Sequence, residues 1–280
     1  MKLSTETYVM QNRFDDKTAI KMIRDAGYDH FDYSMYGTTE QNYMLGEDYR
    51  ERAEDLRRYA DGLGITCNQA HAPFVFRYKN AMELSDPVYQ ELIRSLEVAS
   101  ILGAETVIVH AVCELPEEVD FYEYNRKYYQ SLIPYCEKFG IEVSVENLFT
   151  FHDGTLSGIL SDPKDHIAFV KSLGADCFNI CVDLGHSAIT GRAPEDVIAA
   201  MDSRLLKSLH VHDNNLKSDQ HIVPLFGSMD YQKIMSALKA IGYSGDLTFE
   251  IFGFLGKLDN ELLAPALSFA EKIGRNLIAK

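Results

Sequence analysis

Short apolar segments alternate with longer amphipathic segments from one end of the chain to the other. The short segments are rich in β-branched and aromatic residues, which favour strands, and the longer segments repeat their apolar residues at helical spacing. Eight such pairs are present, so the 280 residues divide into units of 35 residues, which suits one strand and one helix. We predict strands at 2–8, 30–33, 65–70, 106–110, 142–146, 178–183, 206–212 and 247–251.

The segments between these strands carry helix start and stop signals. Pro87, Pro163 and Pro194 lie in the first turns of three predicted helices, and Gly27 and Gly242 lie at the ends of two others. We predict helices at 17–26, 47–62, 87–103, 120–139, 163–174, 194–202, 231–242 and 261–279. Alternating strands and helices form a parallel sheet with right-handed crossovers, and eight uninterrupted units favour closure. The predicted fold is therefore α/β, a single (β/α)8 TIM barrel in one domain over residues 1–280.

Charge and composition narrow the classes of partner and cofactor. The chain has 27 Lys and Arg residues against 42 Asp and Glu residues, and its net charge of −15 repels phosphate backbones and anionic lipids. We therefore expect neither nucleic acid nor a membrane as a partner. The five cysteines form no C-x-x-C pair and the N-terminus lacks an apolar signal core, so we expect reduced thiols and a cytoplasmic location. Without a G-x-G-x-x-G or P-loop motif, no organic cofactor is expected.

Polar side chains end the apolar runs of six consecutive predicted strands. The carboxyl ends of TIM-barrel strands form the active-site rim. The residues at this rim are His71, His110, Glu146, Asp183, His212 and Glu250. One such residue alone is more simply a loop residue or a helix N-cap. Six in register indicate a site, because a carboxylate that points toward a packed barrel is unstable unless a cation pairs with it.

The residue types at this rim favour a hard metal ion. Two Glu, one Asp and one His, with no thiolate, suit Mn²⁺, Mg²⁺, Co²⁺ or Zn²⁺. Further candidates lie nearby: His186 follows Asp183 in the segment DLGH, and Asp219 and His221 lie in SDQH, within the loop after the seventh strand.

Four segments, VSVENLF, CVDLGHSAITGR, LHVHDN and LTFEIFG, give the chain a resemblance to a known family. Over its whole length the chain resembles the xylose isomerase-like TIM-barrel superfamily, especially sugar phosphate isomerases and epimerases of the ketose 3-epimerase kind. The resemblance implies one divalent metal ion (Mn, Co, Mg or Zn) bound by Glu146, Asp183, His212 and Glu250. It also implies that Glu146 and Glu250 exchange the substrate proton.

The implied activity is that of a metal-dependent sugar isomerase or epimerase, which transfers a proton next to a carbonyl through a metal-bound cis-enediolate. The implied partner is a small sugar or sugar-derived ketone, and the resemblance also allows a homo-oligomer. The residues expected to contact the substrate are His186, His71, His110, Asp219 and His221.

Endonuclease IV belongs to the same superfamily and leaves a second function open. The nine candidate site residues all match the positions of its trinuclear zinc ligands, which implies a zinc phosphodiesterase as the alternative. They are His71, His110, Glu146, Asp183, His186, His212, Asp219, His221 and Glu250. However, the chain has IVPLFGSMDY where the nuclease has a Gly-Glu-Gly stretch, and its rim loops are neutral to acidic. An inosose-type dehydratase on the same site and a non-catalytic sugar-binding barrel also remain open.

The predicted rim loops favour an unphosphorylated sugar, polyol-derived ketone or sugar conjugate as the substrate. Only Lys217 and Lys257 stand where a phosphate would bind, after the seventh and eighth strands, so an unphosphorylated substrate is favoured. Lys217 also occupies the loop in which 3-epimerases have an arginine, so the resemblance supports a broader isomerase class. We expect most rim aromatics to pack over the barrel and some to line a pocket; they are Tyr8, Phe14, Tyr36, Phe74, Phe76, Phe149, Phe151 and Phe226.

Overall fold

The predicted strands assemble around a common axis in the computed structural model, which describes residues 1–36, 43–75, 81–152 and 154–280. Each of the eight predicted strands is present, and two further strands form a separate hairpin. The strands are β1 Leu3–Glu6, β2 His30–Ser34, β3 Thr66–His71, β4 Thr106–Val109, β5 Glu142–Glu146, β6 Leu148–His152, β7 Thr155–Ile159, β8 Phe178–Asp183, β9 Leu206–His210 and β10 Leu247–Phe249.

The barrel is nearly closed. Its parallel strands follow the order β10-β1-β2-β3-β4-β5-β8-β9. A single parallel bridge between Val211 and Phe249 joins the two ends. The N–H of Val211 donates to the carbonyl of Thr248 at 2.8 Å, and the N–H of Glu250 donates to the carbonyl of Val211 at 3.1 Å. The fold is therefore the predicted single (β/α)8 TIM barrel.

Helices cover the outside of the barrel through their apolar faces. Leu92, Leu96 and Leu102 of α4 illustrate the pattern, because all three side chains are buried against the barrel. The helices are α1 Tyr8–Arg13, α2 Asp16–Ala26, α3 Tyr49–Leu63, α4 Pro87–Leu102, α5 Phe121–Gln130, α6 Ile133–Phe139, α7 Pro163–Ser172, α8 Leu184–Ile189, α9 Pro194–Ala200, α10 Tyr231–Ala240, α11 Phe252–Leu255 and α12 Asn260–Ala279. Among the described residues, no helix has the length and apolarity needed to cross a membrane.

Two sequence-based predictions about local structure were wrong. The helix predicted at 120–139 is divided into α5 and α6, because Pro134 has no N–H to continue the hydrogen-bond ladder and starts a new helix instead. The segment after the fifth barrel strand, predicted as a loop, forms the antiparallel hairpin β6-β7. The run LFTFH at its start has strand propensity but lies directly after β5, so the sequence pattern did not separate the two strands.

The lower part of the barrel interior is polar. Thr248 of β10 donates a hydrogen bond at 3.2 Å to the side-chain oxygen of Gln69 on β3, which joins two strands that are not neighbours. Ser208 of β9 likewise donates to Ser144 of β5 at 3.0 Å. These side chains are buried and satisfied by one another, so the barrel is filled by a hydrogen-bond network below the rim.

Asp16 at the start of α2 makes stability depend on pH. Its side chain is 2% exposed, and burial, reinforced by Asp15, raises its pKa from 3.8 to about 6 against the opposing hydrogen bonds of Tyr33 and Gln11. The folded state therefore binds the proton of Asp16 more tightly than the unfolded state does. The contribution of this proton to the free energy of unfolding is fully present below about pH 4 and is lost as the pH rises through about 6. We expect Asp16→Asn to be more stable than the wild type by about 2 kcal/mol at neutral pH, with a smaller difference near pH 4.5.

Urea unfolding at the two pH values measures this difference. Asp196→Asn is the matched control, because Asp196 is an exposed aspartate in the first turn of α9. A difference between Asp16→Asn and wild type that does not change with pH would contradict the assignment.

Candidate metal centre and substrate cavity

The predicted site residues converge on one cavity of about 440 Å³ at the carboxyl end of the barrel. Asp183 and His212 lie beneath its floor, and both are fully buried. The other predicted residues line the cavity itself; they are Glu146, His71, His110, His186, Asp219, His221 and Glu250. The structure therefore brings all nine predicted residues together, while their chemical roles remain predictions.

Asp183, His212 and Glu250 form the deepest group of potential metal ligands. Each offers one ligand atom, and these atoms lie within 4.8 Å of one another. The Nε2 atom of His212 is 3.1 Å from both carboxylate oxygens of Asp183. Glu146 joins Asp183 and His186 in a second group that meets the same distance limit. Asp183 belongs to both groups, so the four predicted metal ligands form one continuous cluster.

The sequence around Asp183 explains how this cluster is held. Asp183 ends β8 and is also the N-cap of α8, where its carboxylate accepts the backbone N–H of His186 at 2.6 Å. Asn147, which follows Glu146, donates to the carbonyl of Asp183 at 3.0 Å and accepts its N–H at 2.8 Å. The ends of β5 and β8 are thus joined by a reciprocal side-chain contact. A Cβ at Gly185 would overlap the imidazole of His212, so the glycine of DLGH leaves room for that ring.

His71 and His110 lie on the other side of Glu146. The Nε2 atom of His110 is 2.9 Å from Glu146 Oε2 and 3.1 Å from the Nε2 atom of His71. His71 donates from Nδ1 to the carbonyl of Ala72 at 2.8 Å, which orients its Nε2 atom toward Glu146 at 3.7 Å. The three side chains form a further group of potential metal ligands.

Asp219 and His221 reach the cavity from the loop between β9 and α10. His221 Nε2 is 2.9 Å from an oxygen of Asp219, and His221 Nδ1 donates to the backbone carbonyl of Glu250 at 3.0 Å. The His221 ring is stacked between the rings of His212 and Phe252, at centroid distances of 3.7 and 3.9 Å. His186, His212, Asp219 and His221 constitute another group of potential ligands.

The shape of this loop depends on Asp213, a fully buried residue. Its carboxylate accepts four backbone N–H groups, at 2.8 Å from Asn214, 3.0 Å from Leu225, 3.0 Å from Gly227 and 3.2 Å from Met229. The two ends of the loop that carries Asp219 and His221 are therefore held at one carboxylate.

We expect Asp213→Ala to lower the free energy of unfolding by about 3 kcal/mol, because it leaves several backbone donors without a charged acceptor. Chemical denaturation measures the loss. Asp230→Ala is the control: Asp230 ends the same loop and caps α10 through the backbone N–H of Lys233, but its side chain is exposed to solvent. A loss in Asp213→Ala no larger than in Asp230→Ala would refute the role assigned to Asp213.

Burial and charge shift the titrating groups of the cavity in opposite directions. Burial raises the pKa of Glu250 well above its ordinary value, and the carboxylates of Glu6, Glu146 and Asp183 add to this effect. Burial would also raise the pKa of Glu146, but the imidazoles of His210 and His110 hold it well below the ordinary value. Glu250 is thus the carboxyl group that experiences a local excess of negative charge, from three neighbouring carboxylates.

This excess fits a divalent cation. No lysine or arginine is found among the described residues that line the cavity, so the only positive partners available are imidazoles. The Nδ1 atom of His212 and the Oε1 atom of Glu6 are buried without a hydrogen-bond partner. Carboxylates that converge beside an imidazole provide the hard ligands that Mn²⁺, Co²⁺, Mg²⁺ and Zn²⁺ accept. The residues present fit such an ion, and its identity is left open.

Sequence analysis missed three buried residues below the cavity: Glu6, Asp32 and His210. His210 could have been found, because in LHVH a spacing of two residues places it on the same side of the chain as His212. Glu6 and Asp32 lie inside the first two predicted strands, 2–8 and 30–33, rather than at their ends, where candidate site residues were sought. Burial raises the pKa of Glu6 to about 8, and Tyr36 donates its hydroxyl to the same carboxyl group.

Aromatic side chains cover the mouth of the cavity. Tyr36 is stacked between Tyr8 and Phe74, at centroid distances of 4.7 and 5.3 Å, and Phe149 packs edge-on against His186. Of the other predicted rim aromatics, Phe14, Phe151 and Phe226 are exposed, and Phe76 lies outside the described residues. The cavity thus has an apolar mouth and a polar floor.

Comparison with known proteins gives consistent matches. The family model described as "Xylose isomerase-like TIM barrel" matches residues 20–272. The uncharacterized protein MJ1311 of Methanocaldococcus jannaschii is 26% identical over 249 residues, which cover 83% of this chain and 78% of that protein.

Solved structures with the same fold include two sugar epimerases. D-psicose 3-epimerase with D-tagatose from Clostridium cellulolyticum has a TM-score of 0.76 at 18% identity and 99% coverage of both chains. The 3-keto-D-glucoside 4-epimerase of E. coli has a TM-score of 0.72 at 17% identity, also with 99% coverage of both chains. At these identities the structural likeness establishes the fold alone.

Proposed function

The chain belongs to the xylose isomerase-like TIM-barrel family, and we propose that it is a divalent-metal-dependent isomerase or epimerase of uncharged sugars. The observation that carries this proposal is the placement of two glutamates, Glu146 and Glu250, beside Asp183 and His212 at the floor of one cavity. Glu146 ends β5, and Glu250 directly follows β10. These two strands lie three positions apart around the barrel, so the two glutamates approach a bound molecule from different sides.

Glu146, Asp183, His212 and Glu250 are the residues that would hold the metal ion. When bound, a divalent ion polarises a substrate carbonyl, which makes the neighbouring C–H group acidic. The burial of these four side chains supports this assignment, because it excludes the water that would otherwise screen their charge.

In this proposal, Glu146 and Glu250 exchange the substrate proton. One carboxylate removes the proton next to the carbonyl, and the other carboxyl group returns a proton to the opposite side, which inverts that carbon. Return of the proton to the adjacent carbon gives aldose-ketose isomerisation. His186, His71, His110, Asp219 and His221 orient the hydroxyl groups through their cavity-facing nitrogen and oxygen atoms.

The character of the cavity supports an uncharged substrate. A phosphate group would need arginine, lysine or a backbone cradle, and the described lining residues include neither of those cations. The apolar mouth formed by Tyr8, Tyr36 and Phe74 suits the C–H faces of a sugar ring or of a sugar conjugate. D-tagatose and a 3-keto-glucoside, named with the structural neighbours, are examples of this class.

The test is metal-dependent conversion of a panel of neutral ketoses, aldoses and 3-keto-glucosides. The protein is stripped with a chelator and reloaded with Mn²⁺, Co²⁺, Mg²⁺ or Zn²⁺, and products are separated by chromatography and assigned by NMR. We expect conversion to an epimer or isomer only in the reloaded protein. A folded, metal-loaded protein that converts no member of the panel would count against the proposal, and elimination of water from an inosose would place the same site in a dehydratase.

A zinc phosphodiesterase is the second candidate, because His71, His110 and Glu146 form one additional ligand group and His186, Asp219 and His221 contribute to another. These groups could hold further zinc ions. The net charge of −15 and the acidic cavity oppose binding of a nucleic-acid backbone. Cleavage of abasic duplex DNA at low salt by the zinc-loaded protein, with two or three zinc ions per chain, would favour this candidate over sugar chemistry.

A further inference from the structure

A buried imidazole lies between the two proposed bases. The side chain of His210 is fully buried, with its Nδ1 atom 3.1 Å from Glu146 Oε1 and 3.7 Å from Glu250 Oε2. It is separate from the four residues proposed to hold the metal ion. Because neither ring nitrogen is exposed, His210 acts on a bound sugar only through the side chains around it.

His210 has an acidic neighbour below it and an aromatic neighbour beside it, while its Nε2 atom is buried without a hydrogen-bond partner. Its Nε2 atom is 3.6 Å from an oxygen of Asp32, and the side-chain amide of Gln69 donates to that same oxygen at 2.9 Å. Gln69 in turn accepts a hydrogen bond from Thr248, which connects Asp32 to the polar network in the lower barrel. The ring of His71 stacks nearly parallel to that of His210, at a centroid distance of 5.6 Å.

The two oxygens of Glu146 face different surroundings. Oε2 lies 2.9 Å from the Nε2 atom of His110, a residue that lines the cavity. Oε1 lies beside His210, at 3.1 Å, and is also 3.5 Å from the Nδ1 atom of His186. A hydrogen bond from His210 to Oε1 therefore sets the rotation of this carboxylate and keeps Oε2 beside His110.

We propose that His210, which lies above the Asp32 carboxylate, is a positioning residue that orients the Glu146 carboxylate for proton transfer and keeps it apart from Glu250. The inference rests on the proposed sugar isomerase or epimerase function. Two buried carboxylates repel each other and must be paired to remain in place, and His210 is the group within reach of both from below.

The test compares substitutions that differ in one hydrogen-bond donor. In His210→Asn the amide nitrogen takes the place of Nδ1, whereas His210→Leu has nearly the same shape without a donor. We expect kcat of His210→Leu to fall about 10- to 100-fold with KM changed little, and kcat of His210→Asn to recover most of that loss. Ser208→Ala, on the same strand and away from both bases, is expected to leave both constants unchanged. Equal damage in the Asn and Leu variants, or none in either, would overturn the proposal.

A second measurement does not require activity. Cobalt affinity and the visible spectrum of the Co²⁺-loaded protein report on the ligands of the metal ion. Since loss of a hydrogen bond to a metal-binding carboxylate weakens binding, we expect Co²⁺ affinity about 10- to 100-fold lower in His210→Leu and close to wild type in His210→Asn. If wild type binds Co²⁺ but converts no sugar, the proposed function fails, and this comparison alone decides the role of His210. If His210→Leu does not fold, His210→Gln, whose longer side chain moves the donor away from Nδ1, takes its place with the same expected loss.

Discussion

Replacing Glu146 by glutamine is expected to lower the rate of epimerisation or isomerisation by about 10²- to 10⁴-fold, the range typical for removal of a general base. The amide keeps the shape of the side chain and one oxygen, but it cannot accept the substrate proton. The Glu146 side chain is 1% exposed and lies between the imidazoles of His110 and His210. Steady-state kinetics on the metal-loaded variant measures the effect.

Glu250→Gln provides the complementary measurement. If the two glutamates act from different sides, each single variant keeps one of the two bases. Each variant should therefore still exchange the C–H hydrogen of one epimer with solvent, but should no longer invert that carbon. Glu118→Gln, in the exposed loop before α5, is the control and should retain wild-type kinetics. Activity within tenfold of wild type in both Glu146→Gln and Glu250→Gln would be incompatible with their proposed roles.

Gly185→Ala is expected to lower metal affinity by at least about 10- to 100-fold and to lower activity with it. Gly185 lies inside α8 without a positive φ, so alanine is favourable for the backbone. The added Cβ would overlap ring atoms of His212, which packs directly against this position. The imidazole must therefore shift from its present place 3.1 Å from the Asp183 carboxylate, and the deepest ligand group is disrupted.

The control for this substitution is Gly62→Ala. Gly62 also lies inside a helix, α3, and a Cβ there meets no atom within 4 Å. We expect Gly62→Ala to be at least as stable as wild type and to bind metal normally. Isothermal titration with Mn²⁺ or Co²⁺ compares the variants, and thermal unfolding tests that Gly185→Ala is folded. Wild-type metal affinity in folded Gly185→Ala would show that the His212 position does not matter for the ion.

The sequence was sufficient for the fold because its signals are local and repeated. Each barrel strand has its own apolar run, and the eight units reinforce one another, so an error at one boundary does not change the architecture. Pro134 and the hairpin β6-β7 were missed because both features interrupt the regular repeat of strand and helix.

The candidate site was predictable where a polar residue ends an apolar run. His71, Glu146 and Asp183 end their strands, and the structure places them around one cavity. Asp32 lies inside β2, where hydrophobic patterning gives no reason to expect a charged group that faces the barrel axis. His210 was missed although its spacing from His212 in LHVH marks it. Their contacts depend on the curvature of the closed barrel, which brings β2, β5 and β9 together across its interior.

The cavity has features that bear on both of the proposed functions. Its histidine-rich edge, with His71, His110 and His221, provides enough ligands for more than one metal ion. No lysine or arginine is among the described residues that line the cavity, and aromatic side chains surround its mouth. Both features favour a neutral sugar. Metal content per chain, measured by elemental analysis on protein purified without chelator, separates one ion from two or three.

The most direct test of the central claim is hydrogen exchange during turnover in D₂O. The metal-loaded protein is incubated with a sugar that it converts, and NMR and mass spectrometry locate deuterium in the product. If Glu146 and Glu250 remove and return a proton, the product carries one deuterium at the carbon that is inverted or reprotonated. Turnover in which the substrate hydrogen is retained without any deuterium would contradict the account, because the hydrogen would then move directly between carbons rather than through the two glutamates.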